Sequence, residues 1–140
     1  MAKICLVACA STKQMQSASA KELYVSPLFS KSRYWAEQNS DQWFILSAKH
    51  GLLTPSTLVE PYNMTLKNMN VNDRRTWADK VYAALLDITQ EGDEITFLAG
   101  KHYRQFLLPR LTQEGYQVCL PMEGLGIGKQ LQWLTQNVAV

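Results

Sequence analysis

The sequence predicts a single three-layer α/β domain over residues 1–140, with a mostly parallel four-stranded sheet and helices on both faces. Three observations predict it. Short apolar runs alternate with helical patterns, as in chains that build a parallel sheet through right-handed crossovers. The runs are near-continuously apolar, which suits strands covered on both faces. Polar or glycine-rich clusters follow the end of each run, where an open α/β sheet binds its ligands.

The expected strands are Ile4–Ala8, Trp43–Ser47, Ile95–Ala99 and Gln117–Leu120. Ser26-Pro27 starts the first helix, with serine as N-cap and proline in the first turn, and the helix runs to about Asn39. Val71–Thr89 is the clearest helix. Trp77, Val81, Leu85 and Ile88 form its apolar stripe, and Gly92 follows as a stop. Lys101–Leu108 reads as helical up to Pro109, which begins a new turn or kinks the segment. A last helix spans about Gly128 to Asn137. Gly51–Asn70 is an irregular stretch of a length that in compact domains is often functional.

The chain has 140 residues, 46% of them hydrophobic and 19% charged, enough for one domain with a real core. No run approaches the roughly 20 apolar residues of a membrane span. The short apolar start lacks the core and cleavage site of a signal peptide, so the expected location is cytoplasmic, with no membrane partner. Cys5, Cys9 and Cys119 have neither disulfide-framework nor zinc spacing, and there are only 2 histidines; no metal and no cofactor is expected. The net charge of +2 is below that of most dedicated duplex binders.

The clusters after the strands supply the candidate ligand site. In Cys9-Ala10-Ser11-Thr12-Lys13, backbone amides, hydroxyls and Lys13 suit an anion; the alternative is a plain loop after a buried thiol. Cys9 is a nucleophile candidate with a histidine as base, though an inert thiol is the more ordinary role. In Ser47-Ala48-Lys49-His50-Gly51-Leu52, Lys49 offers a phosphate contact or a proton, His50 a proton near neutral pH, and Gly51 a sharp turn. The structural alternative has Ser47 capping a turn, Lys49 solvated and His50 packed on Tyr62. Glu60-Pro61-Tyr62 presents a ring for stacking or an anchor for the loop. Lys101, His102 and Tyr103 open a helix whose free amides attract anions, with Tyr103 the inward residue. Gly124-x-Gly126-x-Gly128-Lys129 has neither dinucleotide nor P-loop spacing, but its backbone suits phosphate; a simple glycine-rich helix start fits equally. Tyr24 faces the same crevice, and Glu123 joins it from the last cluster.

These residues carry a resemblance. Cys9-x-x-x-Lys13, Leu23-Tyr24-x-Ser26-Pro27-Leu28-Phe29 and Ile45 through Leu52 lead into a pattern from Ser47 to Tyr62, Ser-x-x-x-Gly-x-Leu-x-Pro-x-x-x-x-x-Pro-Tyr. The pattern resembles a small bacterial and phage domain of unknown function, which is similar to the core of the YaaA family of peroxide-stress proteins. That likeness implies DNA binding and protection from oxidative damage. Asn63 stands where the small-domain pattern has an acidic residue. The fold is also distantly similar to that of uracil-DNA glycosylases, by analogy only.

The function expected from these readings is an enzyme-like domain that binds a nucleobase, nucleotide or nucleic acid, with cleavage of an N-glycosidic bond as the most concrete reaction. His50, Lys49, Glu123 and Tyr103 are its candidate catalytic residues. Cys9, Ser11, Lys13, Tyr24, Ser47, Gly51, Glu60, Tyr62, Lys101, Gly124, Gly126 and Lys129 are its candidate ligand contacts. The alternatives are a non-catalytic DNA-binding, stress-protection protein resembling YaaA, and an interaction domain. The residues by themselves leave open whether any reaction is catalysed.

Overall fold

In a computed structural model, residues 2–9, 13 and 15–137 are described. The strands are β1 (Lys3–Ala8), β2 (Ala18–Ser19), β3 (Gln42–Ser47), β4 (Gly51–Leu53), β5 (Leu58–Val59), β6 (Glu94–Leu98) and β7 (Gln117–Cys119). The helices are α1 (Ala20–Leu23), α2 (Pro27–Asn39), α3 (Val71–Ile88), α4 (Lys101–Arg104), α5 (Leu108–Gln113) and α6 (Ile127–Asn137), with a 3-10 turn at Leu66–Asn68. The main sheet has five strands in the order β4-β3-β1-β6-β7, not four. β1 pairs in parallel with β3 and β6, and β7 runs parallel to β6, as expected. The fifth strand, β4, folds back antiparallel on β3, setting Ser47 against Gly51.

Side chains of β1 alternate between two cores. Ile4 and Leu6 join Trp77, Val81 and Leu85 of α3 and Leu111 of α5 on one face. Cys5 and Val7 join Phe29 and Ala36 of α2 and Leu134 of α6 on the other. Each face of the sheet is thus covered by helices, which explains why its strands are apolar on both sides. α2 begins as its sequence dictates, since the Ser26 hydroxyl accepts the Phe29 amide at 3.1 Å and Pro27 takes the first position. α3 is capped by Asn70, whose side-chain oxygen accepts the Asp73 amide at 2.8 Å.

Two expected segments differ. Lys101–Leu108 is not one helix: α4 ends at Arg104 and α5 begins at Leu108, with Pro109 in its first turn where a missing amide is tolerated. Gly51–Asn70 is not structureless, because it holds β4, β5 and the 3-10 turn. β5 pairs with β2, so this segment is strapped to the chain that follows the first cluster. Among the described residues no helix is long and apolar enough to cross a membrane.

Candidate functional site

The carboxyl ends of β1 and β3 carry a network of hydroxyls. β3 ends at Ser47, which is fully buried. Its oxygen accepts the backbone amide of His50 at 3.1 Å and lies 2.7 Å from the Tyr62 hydroxyl. Tyr62 in turn lies 2.5 Å from the hydroxyl of buried Tyr24. The Ser47 carbonyl accepts the indole N–H of Trp77 at 2.8 Å, so α3 holds the strand end from the opposite face. Gly51 completes the turn with φ of 73°, the left-handed region that glycine enters without strain. Ser47–Gly51 is therefore a hairpin turn between β3 and β4.

The cations near this network engage its rings. The Lys13 ammonium lies 4.5 Å from the Tyr62 ring centroid and 5.6 Å from that of Tyr24. Lys49 is exposed, its ammonium 5.9 Å from the Tyr62 ring. The His50 ring packs edge-on against Tyr62 at 5.4 Å. These contacts match the structural alternative drawn from the sequence: Ser47 caps a turn, Lys49 is solvated, and His50 packs on Tyr62. Tyr62 meets ammonium groups and an imidazole edge, and its hydroxyl is bonded twice, which favours the anchoring role over a bare stacking platform. Burial, then the charges of Lys49 and Lys80, holds His50 below the usual histidine range and so neutral at pH 7. Burial also pushes the Tyr24 phenol up to about 12, and raises Tyr62 and Tyr103 further. All three remain neutral at physiological pH and do not serve as tyrosinate bases.

Cys9 joins this network to a cavity. Its amide donates to the Leu46 carbonyl at 3.0 Å, and its sulfur lies 3.2 Å from the hydroxyl of Tyr103, which packs edge-on against Trp77. On its other side Cys9 lines a cavity of about 340 Å³ at the carboxyl ends of β1 and β6. Leu28, Phe29, Leu98 and Met122 give apolar walls; Ser26, Ser32 and Gln130 add polar groups, and Lys101 and Arg104 add two cations. No carboxylate appears among the described lining residues. A wider depression of about 510 Å³ lies at the opposite edge of the sheet and does contain acids. They are engaged structurally: Asp41 accepts the Lys3 amide, and Asp93 accepts those of Ala2 and Gln90.

The sixteen residues nominated from the sequence divide into four groups. Cys9, Lys13, Tyr24, Ser47, Lys49, His50, Gly51, Tyr62 and Tyr103 come together at the hairpin network. Lys101 and Gly124 line the cavity. Glu60, Glu123, Gly126 and Lys129 are exposed and do not line it. Ser11 lies outside the described residues. The anion-attracting helix expected at Lys101 is only four residues long, which leaves little dipole to attract one. His102 is paired with Arg74, whose guanidinium lies 2.8 Å from its ring nitrogen, and points to no cavity group.

The polar lining residues Ser32, Arg104 and Gln130 are not among the nominated sixteen. A signal for each of them exists. Ser32 sits on the stripe of α2 with Phe29 and Ala36, and Gln130 is one helical turn before buried Leu134. A polar residue on an apolar helix face marks a place where the face meets something other than core. Arg104 follows Lys101 at i+3, on the same side of a helix.

Residues 4–136 match the model of a family described as a family of unknown function, DUF6884. The chain belongs to that family. It is also similar to the uncharacterized protein YfjM of Bacillus subtilis (strain 168), with 29% identity over 152 aligned residues that take in 99% of this chain and 96% of that protein. No solved structure matches the chain. The matches support a domain of unknown function; the likeness to YaaA rests on the residue pattern alone.

Proposed function

We propose that the chain binds a nucleotide, free or at the end of a nucleic acid, in the cavity at the carboxyl edge of its sheet. One observation carries the proposal: apolar walls and two cations, Lys101 and Arg104, share a cavity of about 340 Å³ whose described lining has no carboxylate. That volume falls in the range of roughly 300–1,000 Å³ found for small-molecule sites. Apolar walls suit a planar ring, and the cations suit phosphate. The ion pairs among the described residues all involve Arg33 or Arg110, so Lys101 and Arg104 have no carboxylate to displace.

Binding is the extent of the proposal. Cleaving an N-glycosidic bond needs a group that stabilises the sugar cation, and the acids nominated for it, Glu60 and Glu123, stand outside the cavity. A YaaA-like role in protecting DNA would need a duplex-sized surface, and its binding would not compete with mononucleotides.

Calorimetry with nucleoside monophosphates tests the reading. A bound nucleotide should also raise the melting temperature by mass action. Replacing both cations, Lys101→Ala with Arg104→Ala, should weaken binding at least tenfold, because a hydrogen bond to a charged group is worth about 1.5–3 kcal/mol. The proposal is wrong if no nucleotide binds, or if the double variant binds it equally well.

A further inference from the structure

We propose that Ser32 and Gln130 form the recognition end of this cavity and read the hydrogen-bonding edge of a nucleobase held between α2 and α6. The inference rests on the nucleotide reading above and adds the orientation of the ligand: base inward, phosphate toward Lys101 and Arg104.

Ser32 carries the argument. It is only 2% exposed and lines the cavity, and its oxygen is not among the buried polar atoms sealed off without a partner, so its open side is the cavity. Hydroxyls on helices usually bond back to the carbonyl four residues earlier. Thr76, Thr112 and Thr135 all do so here, to Asn72, Leu108 and Leu131. Ser32 does not bond to Leu28 in this way. A position on the apolar stripe of α2 would accept alanine with no loss of packing, so a hydroxyl there marks where the stripe meets the cavity instead of core. A ligand in the cavity supplies a partner for it.

Gln130 faces the same cavity from α6, which packs on α2. Its amide nitrogen donates to the Leu125 carbonyl at 2.8 Å. That bond fixes the side chain and leaves the amide oxygen as an acceptor. A hydroxyl that donates and an oxygen that accepts complement an edge with an adjacent acceptor and donor. The Watson–Crick edge of a nucleobase has this pattern; a sugar phosphate has no planar equivalent. Leu28, Phe29 and Met122 supply the apolar surface that the ring would cover.

The experiment uses the full chain and three kinds of probe: the four common ribonucleoside monophosphates, ribose 5-phosphate, and the tightest-binding nucleotide methylated on its ring nitrogen. The intact nucleotide should bind about tenfold or more tightly than either of the other two, since an unpaired buried polar group costs that much in affinity. Ser32→Ala and Gln130→Leu should each erase that preference and leave ribose 5-phosphate binding unchanged. Without ligand, Ser32→Ala should melt at or near the wild-type temperature or above it, because the hydroxyl it removes holds no part of the fold together. The inference is overturned if ribose 5-phosphate or the methylated nucleotide binds as tightly as the intact one. It is overturned equally if both variants keep the preference, or if Ser32→Ala alone lowers the melting temperature by several degrees. If the phosphate compounds all fail to bind, it is the nucleotide reading itself that falls.

Discussion

Replacing Tyr62 with phenylalanine removes one oxygen and leaves the ring in place. That oxygen links the hydroxyls of Tyr24, at 2.5 Å, and Ser47, at 2.7 Å. Each bond contributes about 1 kcal/mol net, and the Tyr24 oxygen, on a side chain that is 2% exposed, is left in poor contact with water. Ser47 keeps the His50 amide as a donor, so its share of the loss is smaller. The expected destabilisation is about 2 kcal/mol, or about 6–10 °C in melting temperature for a chain of this size. Urea denaturation of wild type, Tyr62→Phe, Tyr24→Phe and the double variant measures it. Tyr24→Phe alone should cost about 1 kcal/mol, and the two changes should be coupled by about 1 kcal/mol, because each removes the same shared bond. Strict additivity, or a loss for Tyr62→Phe below about 0.5 kcal/mol, would show that the two phenols do not hold each other in solution.

Two further outcomes follow from the hairpin. Gly51→Ala should cost about 1–2 kcal/mol through its left-handed backbone alone, since an added methyl would meet Lys80 and Val81 only at ordinary contact, 3.5 Å; Gly51→Asn should lose less, and chemical denaturation showing both variants neutral would refute the turn geometry. The His50 imidazole, followed by NMR, should titrate below roughly 6.5, and Lys49→Ala should move its midpoint upward. In the unfolded chain His50 takes up its proton first as pH falls. Stability therefore rises with pH between the folded and unfolded values and is level above both. A midpoint that Lys49→Ala leaves in place would mean the lysine charge is screened.

The parallel strands and long helices were legible because each has a pattern of its own: continuous apolar runs for β1, β3 and β6, and a regular stripe for α3 with Trp77, Val81 and Leu85. β4 was not, because Gly51–Leu53 is three residues long and follows a glycine that a turn requires anyway. The break between α4 and α5 was half visible in Pro109, which marks a boundary without saying on which side the next helix begins. The meeting of Ser47 with Tyr62 lay within the quoted residue pattern, and the structure supplies its reason as a hydrogen bond. Tyr24 as their partner needed the fold, since its hydroxyl bond spans 38 residues of chain. Ser32 and Gln130 were the least visible. One serine or glutamine on an apolar helix face is a common and weak signal, and the cavity between α2 and α6 shows what it marks.

The return of Tyr62 to Ser47 has a consequence for the order in which the parts of this domain acquire structure. The two side chains are fifteen residues apart, so their contact closes a small loop at modest entropic cost. The cavity draws its walls from Ala8 to Gln130, almost the whole length of the chain. Such a contact set has high sequence separation and depends on the last helix being docked. Hydrogen exchange should therefore report two opening events: one confined to the hairpin strap, and one that dissolves the cavity whenever α6 lets go of α2. The cavity proposed to bind a ligand is in this sense a product of the final folding step, while the part of the sequence most readily recognised from its pattern is a local element that needs much less of the chain.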